Sequence, residues 1–350
     1  MKSMMRHSYR LILALAAFSL GGLAAQAGAE GQNRAGTASG MELLIPVGAR
    51  DMALGGASIA TTAGIEALHW NPAGLARSKA NANLMFSTMS YLADIRVNYV
   101  ATSARFGQLG SLALSLKTLD FGEIPITTEG APDGTGGTFS PTFFTMGVTY
   151  GRALTDRINV GTTLHYLVNR IERVDATSTS FNAGLQYANL GSVEGLDMGV
   201  AVKHIGTRMQ FDGPALLRSG QIEGVRRPGA MYKVEASSSD LPSTFEIGLG
   251  YRYRPATSNQ VNLSSIFQHN NFSLDQWKIG AEYLYSDFFA LRGGFNYAPE
   301  AQGDEQIFST TFGVGLNLRV GGLKDARIDY AYTSADLFDA LNTFTFQLGF

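Results

Sequence analysis

From residue 82 to the end of the chain, apolar and polar positions alternate in a series of short segments. In 306–319, for example, Phe308, Phe312 and Leu316 lie on one side of the repeat, and small or polar residues lie between them. A repeat of two residues predicts β-strands, because successive side chains of a strand point to opposite faces. Turn-forming residues separate fourteen such segments: 82–91, 95–106, 110–119, 140–152, 156–171, 176–189, 196–206, 243–254, 259–269, 275–286, 288–298, 306–319, 325–333 and 341–350.

The length of these segments indicates strands that cross a membrane. The last one, 341–350, places Phe346, Leu348 and Phe350 at alternate positions, and ten residues is the length of one tilted membrane-crossing strand. We expect Phe346 and Phe350 to form the C-terminal signal that the barrel-assembly machinery reads. The pattern predicts an all-β fold, a 14-stranded antiparallel transmembrane β-barrel over residues 81–350, with outer-membrane lipid around it. A soluble sandwich or propeller is the alternative.

The first 27 residues have the pattern of a secretory signal peptide. Lys2, Arg6 and Arg10 precede an apolar run that is too short for a spanning helix, and small residues at Ala25–Ala29 offer cleavage sites. We therefore expect export, cleavage and a place in the cell outer membrane. An uncleaved N-terminal anchor is the alternative.

Composition and charge exclude several classes of function. The chain has no cysteine, which excludes disulfides and thiolate metal sites, and its formal charge of −2 gives no basic face for nucleic acid. It has no phosphate-binding loop and no dinucleotide fingerprint. We therefore predict no catalytic residue, no metal and no cofactor. The histidines beyond the signal lie in different segments without the spacing of a metal site: His69, His165, His204 and His269.

Residues 28–80 do not alternate, and small residues dominate them. We interpret this segment as a hatch, or plug, that folds inside the barrel lumen. Gly55 and Gly56 allow close backbone packing, and Pro72 should end a short helix near Trp70. A charged residue such as Arg50 would need partners on the inner wall. A disordered periplasmic tail is the alternative.

Charged side chains recur on the polar face of several strands. They could set the ion preference of a pore or brace the wall against the hatch, and the presence of both signs favours bracing. The predicted lumen charges are Glu246, Arg252, Arg254, Lys278, Glu282 and Arg292.

The hatch segment carries a resemblance to a known family. Gly48-Ala49-Arg50, Gly55-Gly56-Ala57 and the run Asn71-Pro72-Ala73-Gly74-Leu75-Ala76 resemble the N-terminal hatch of FadL-type outer-membrane transporters for hydrophobic compounds. The chain is more similar to their shorter relatives, the PorV/PorQ family. The motif residues that carry this resemblance are Arg50, Gly55, Gly56, Asn71, Pro72 and Ala73.

The resemblance implies one of two non-catalytic functions. A FadL-type protein would pass a hydrophobic small ligand through a plugged lumen, whereas a PorV-type protein would act in type IX secretion and bind the C-terminal domain of a secreted cargo protein. The chain is short, so only 207–242 could form a capture groove, with Met209, Phe211, Leu216, Leu217 and Met231 as apolar candidates. A general diffusion porin is an alternative, and an outer-membrane lipase is a weaker one.

Overall fold

A computed structural model describes residues 36–220, 229–301, 306–318, 323 and 325–350. The predicted signal peptide and the first residues of the predicted hatch, 28–35, lie outside the described residues. Fourteen strands form the barrel: β1 (Ala82–Ser90), β2 (Arg96–Arg105), β3 (Ser111–Asp120), β4 (Thr142–Ala153), β5 (Ile158–Ile171), β6 (Val174–Tyr187), β7 (Leu196–Gly206), β8 (Thr244–Ala256), β9 (Asn259–Asn270), β10 (Gln276–Tyr285), β11 (Phe289–Tyr297), β12 (Phe308–Leu318), β13 (Asp325–Ala335) and β14 (Leu341–Gly349).

The barrel is closed and antiparallel throughout. Each strand pairs with its sequence neighbours, and β14 pairs with β1 in a register that sets Phe346 opposite Phe86. The backbone of Phe350 completes the seam, because its N–H donates to the Ala82 carbonyl at 2.8 Å. Closure leaves no unpaired strand edge, which a membrane-crossing sheet requires. The predicted 14-stranded antiparallel barrel is confirmed.

The two faces of the wall differ as the alternation predicts. Outward side chains are apolar and exposed, as at Leu114, Phe312 and Phe344, while inward ones are buried and often polar. The aromatic residues of the predicted assembly signal, Phe346 and Phe350, both point outward and are exposed. Within the described residues, no helix is long and apolar enough to cross a membrane.

The connections have different lengths at the two ends of the barrel. Long ones, 121–141 and 207–243, lie at one end and contain short strand pairs of their own, Ile124–Pro125 with Thr138–Phe139 and Leu217–Gly220 with Ala230–Lys233. At the other end, described turns such as 154–157 are short. Outer-membrane barrels carry long loops outside and short turns in the periplasm. We therefore call the first the external end and the second the periplasmic end.

Short helices of the N-terminal segment fill the lumen and form a plug. They are a 3-10 turn at Met41–Leu44, α1 (Ala49–Met52), a 3-10 turn at Gly64–Glu66, α2 (Ala67–Trp70) and a 3-10 helix at Pro72–Arg77. The helix before Pro72 ends at Trp70, as predicted, because Asn71 is extended with φ −153° and ψ 106°.

Glycines on the inner wall let the plug backbone touch the strands. A Cβ at Gly184 would lie 2.0 Å from Asn71 Oδ1, and one at Gly161 would lie 2.2 Å from the Pro72 carbonyl oxygen. Apolar plug residues also pack on the wall, where Ile65 and Leu75 join Met85 in a buried cluster. The inward glycines of the alternating pattern are therefore the sites where the plug is seated.

Candidate functional site

Asn71 ties the plug to itself and to the wall. Its side chain is fully buried, and Oδ1 accepts from the Ala73 N–H at 3.1 Å, which caps the helix that Pro72 begins. Its Nδ2 donates to the Ile59 carbonyl at 2.8 Å and to the Leu185 carbonyl of β6 at 3.2 Å. The Asn71-Pro72-Ala73 motif is thus the point where plug and barrel are fastened together.

A buried group of charges fastens the plug to the opposite wall. We call it the plug–wall ion cluster, and it consists of Arg50, Asp51, Glu66, Glu282, Arg292, Arg327 and Asp329. From the plug, Arg50 reaches both carboxylate oxygens of Glu282 on β10 at 3.2 Å. From the wall, Arg327 on β13 reaches Glu66 of the plug at 2.7 Å. Removing one partner of such a buried pair is strongly destabilising.

The plug–wall ion cluster holds four carboxyl groups against three guanidinium groups. Burial raises the pKa of Glu66 to about 7, although Arg327 opposes the shift. Desolvation disfavours the charged form of a buried acid, and the excess acid has no fourth cation in the cluster. Between pH 4.5 and about 7, Glu66 therefore keeps a proton that a solvent-exposed glutamate would lose.

The six predicted lumen charges lie in three separate places. Glu282 and Arg292 belong to the plug–wall ion cluster. Glu246 pairs with Lys203 at 2.6 Å beside a cavity that Lys278 also lines, and neither Glu246 nor Lys278 forms an ion pair with the described part of the plug. Arg252 and Arg254 lie at the periplasmic end, where Arg252 is 3.7 Å from Asp197 and Arg254 donates to Gln260.

The plug has a further attachment that was not predicted from the sequence. Arg77, the last residue of the Pro72–Arg77 helix, pairs with Asp197 of β7 at 3.0 Å and donates to the Ala60 carbonyl at 3.1 Å. The plug is therefore held by Asn71, by the plug–wall ion cluster and by Arg77. These attachments contact β6, β7, β10 and β13, so they are distributed around the barrel.

A cavity of about 580 Å³ lies between the plug and the external end. The plug forms its floor through Met52, Gly56, His69 and Trp70. Aromatic side chains line its external part: Tyr91, Phe121, Phe143 and Phe308. The volume is within the range of ligand pockets, about 300–1,000 Å³. This cavity is the candidate functional site.

Five basic groups from four elements, α2, β3, β5 and β7, meet beside the cavity floor. His69 of the plug is close enough to His165, His204, Lys117 and Lys203 for each of them to lower its pKa, after burial, which is the main cause. His69 is therefore neutral. Among the described residues, no group of three or more His, Cys, Asp or Glu side chains is placed to hold a metal ion. Two of the histidines that the sequence scatters, His69 and His204, contribute to the polar part of the cavity wall.

His204 faces the cavity because of a β-bulge. The β6–β7 register shifts between Phe181 and Ala183, and His204 has a φ of +62°. Its N–H donates to Asn182 Oδ1 at 2.8 Å. With strict alternation after Lys203, His204 would point to lipid, so the bulge turns it inward. The adjacent polar pair Lys203-His204 was the only sequence signal of this irregularity.

The apolar candidates for a capture groove in 207–242 lie apart from the cavity. Met209 is buried in a core with Leu43 and Leu167, and Met231 is exposed on the external hairpin. None of the five apolar candidates lines the cavity. The cavity is lined mainly by the plug and the inner wall instead.

Comparison with known proteins gives the family and the fold. The family model described as type IX secretion system protein PorV matches residues 28–213, which is more than half of the chain. The CymD monoaromatic hydrocarbon channel superposes with a TM-score of 0.56 at 12% identity, over 88% of this chain and 98% of that one. The Pseudomonas putida toluene transporter TodX does so with a TM-score of 0.52 at 12% identity, over 87% and 96%.

The two solved structures share the barrel fold with this chain. No curated protein matches its sequence. The family match covers the hatch and the first half of the barrel, including the Asn71-Pro72-Ala73 motif. The chain is an outer-membrane β-barrel, and it belongs to the PorV family of type IX secretion system proteins.

Proposed function

We propose that this chain acts in type IX secretion as a non-catalytic barrel that holds a segment of a secreted cargo protein, from its C-terminal domain, in the external cavity. The observation that carries the proposal is a ligand-sized cavity at the external end with the plug as its floor. A cargo protein that has reached the cell surface could enter such a cavity without crossing the plug.

The attachments of the plug support a binding role over a diffusion channel. Asn71 is fully buried, and Arg50 pairs with Glu282 from a side chain that is only 13% exposed. Displacing the plug would expose these groups or leave them unpaired, and buried charges without partners are costly. A general diffusion porin needs a continuous aqueous path, so we expect no steady conductance from this barrel.

Transport of hydrophobic compounds is the second candidate. The apolar side chains around Trp70 and Phe121 favour it, and both CymD and TodX are described as channels or transporters of aromatic hydrocarbons. This function would require a passage past the plug or through the wall. The proposal for secretion requires neither, and the family match is to a secretion protein.

A cavity-filling variant tests the proposal in cells. Thr244 lines the cavity, and its hydroxyl makes no hydrogen bond with the described residues. Thr244→Phe therefore fills part of the cavity without removing a hydrogen bond. Thr162→Phe, on the exposed outward face of β5, makes the same change toward lipid and is the matched control. Each variant would replace the native chain, and mass spectrometry would quantify cargo proteins at the surface and in the medium.

We expect Thr244→Phe to insert normally, as a heat-modifiable barrel, and to reduce surface cargo severalfold, while Thr162→Phe secretes normally. Normal cargo with Thr244→Phe would contradict the proposal. If cargo were normal but uptake of a hydrophobic compound such as toluene fell, the second candidate would replace it.

A further inference from the structure

The ammonium group of Lys278 faces the cavity without a direct partner. Lys278 lies on β10, and a Cβ on Gly56 of the plug would be 3.6 Å from its Nζ. No hydrogen bond or ion pair to it is formed by the residues that the structure describes, although the Glu246 carboxylate, which pairs with Lys203, is close enough to attract it. The other lysines nearby are satisfied, since Lys203 pairs with Glu246 at 2.6 Å and Lys117 donates to the Ile45 carbonyl at 3.0 Å.

The charges around the cavity leave one cation in excess. The groups that line it are Lys203, Lys278, His69, His204, Glu42 and Glu246, and Lys117 lies near Glu42 without lining the cavity. Lys117 and Asn169 act on Glu42, and Lys203 pairs with Glu246, so Lys278 is the cation that remains without a carboxylate of its own. A cation beside apolar walls is stabilised by an anion, so the cavity favours a ligand with a single negative charge.

Among the described residues, three further polar atoms in the cavity wall lack hydrogen-bond partners, one of them the Oε1 atom of Glu42 and the other two able to bind a ligand. These two are the hydroxyl of Thr244, whose residue is 4% exposed, and Oδ1 of Asn296. Buried polar atoms are nearly always hydrogen-bonded in native proteins, so unmet ones in a cavity mark places where a ligand or water completes the bonding. Apolar side chains, with Trp70 and Phe308 among them, line the same cavity.

We propose that the cavity binds the terminal carboxylate of an apolar chain, with the Lys278 ammonium as its counter-ion. The inference rests on the proposed function, in which the cavity is a binding site that is reached from outside. Two sources share this chemistry, the free C terminus of an apolar peptide and a fatty acid. A carboxylate matches the single excess charge, whereas a phosphate monoester would bring close to two.

Fluorescence of Trp70 gives a direct measure of occupancy. The chain has two tryptophans, and Trp277 lies on the outward face of β10, so a Trp277→Phe background leaves Trp70 in the cavity as the only reporter. The purified full chain in detergent would be titrated with four brominated quenchers. These are a short apolar peptide containing bromophenylalanine with a free C terminus, the same peptide amidated, a bromo fatty acid and the matching bromo alcohol.

We expect at least one acid to bind about tenfold or more tightly than its neutral counterpart, because a hydrogen bond between two charged groups is lost in the neutral form. Lys278→Met should reduce the affinity for the acid to that for the neutral compound and leave the neutral compound unchanged, and Lys278→Arg should retain the preference. Lys79→Met, an exposed lysine that follows the plug helix, is the matched control and should change neither affinity.

Acid-selective binding that depends on Lys278 supports the inference for either chain, and the stronger of the two acids identifies the source. Equal affinities for acid and neutral forms, a preference that survives Lys278→Met, or no quenching by any compound would overturn it. These outcomes are separate from the cargo assay. Acid selectivity with normal cargo in the Thr244→Phe variant would refute only the secretion role, and reduced cargo without acid selectivity would refute only this inference.

Discussion

A few buried polar side chains determine where the plug sits. Asn71 contributes one acceptor and one donor group to four backbone contacts, two of them on the wall strands β6 and β7 at 3.2 and 3.5 Å. Arg50 spans the gap between its neighbour Asp51 and Glu282 of the wall. Such groups fix the position of the plug, because their hydrogen bonds and ion pairs are complete in one placement only. In any other placement a buried polar or charged group would lack a partner, which costs free energy.

Asn71→Ala should loosen the plug while the barrel still inserts. The change removes a helix cap, worth about 1 kcal/mol, together with the hydrogen bonds from Nδ2 to the carbonyls of Ile59 and Leu185. We expect backbone hydrogen exchange in residues 59–77 to accelerate at least about tenfold and cargo secretion to fall. Asn98→Ala, which removes a bond to Thr88 on the outward side, is the control. Unchanged exchange in the Asn71→Ala plug would contradict the role of this residue.

The seated plug should be more stable in mildly acidic solution than in mildly basic solution. Burial raises the pKa of Glu66 from 4.5 to about 7, so the folded state binds this proton more tightly than the unfolded chain. The resulting stabilisation is complete below pH 4.5 and is lost as the pH rises through about 7. Hydrogen exchange of the plug amides, corrected for intrinsic rates, should therefore be slower at pH 5 than at pH 8.

Glu66→Gln is the matched variant for this pH effect, because the amide cannot lose a proton. We expect its plug to exchange at a corrected rate that no longer changes across this range. A wild-type plug whose corrected exchange is independent of pH, or is slower at pH 8, would show that Glu66 is already ionised in the folded protein.

The elements explain which features the sequence could predict. Strands and their inward glycines follow from a local repeat of two, and the end of α2 follows from Pro72, so these were predicted. The meeting of His69, His165 and His204 was not, because it depends on which strands face one another across the lumen and on a bulge at His204. The Arg50–Glu282 pair was predicted only in part. Both side chains were expected to be buried charges in the lumen, but the sequence did not single out Glu282 as the partner of Arg50.

The inward glycines give a prediction for a wall strand. A side chain at Gly184 would collide with Asn71 and Pro72, whereas Ala183 beside it points outward. We expect Gly184→Val to insert as a barrel with a displaced plug and to conduct ions in a planar bilayer. The wild type and the control Ala183→Val should show no ion conductance. A silent Gly184→Val barrel with normal plug exchange would show that the wall does not seat the plug there.

The whole molecule combines a closed wall, an attached plug and a cavity above the plug. The hydrophobic outside and paired seam were foreseeable from the alternation and from the terminal segment ending at Phe350. The cavity was not, because its volume depends on how far Trp70 and the plug fill a lumen whose width is set by fourteen strands. Lys278 shows the same limit, since its inward direction was predicted but its lack of a partner was not.

Chemical access to the cavity from each side tests this arrangement most directly. The chain has no cysteine, so Thr244→Cys in the cavity and Ser258→Cys in a periplasmic turn can each be labelled alone. With the protein reconstituted in one orientation and a small membrane-impermeant thiol reagent added to either side, we predict that Thr244→Cys reacts only from the external side and Ser258→Cys only from the periplasmic side. Reaction of Thr244→Cys from both sides, or from the periplasmic side alone, would contradict a cavity closed by its plug.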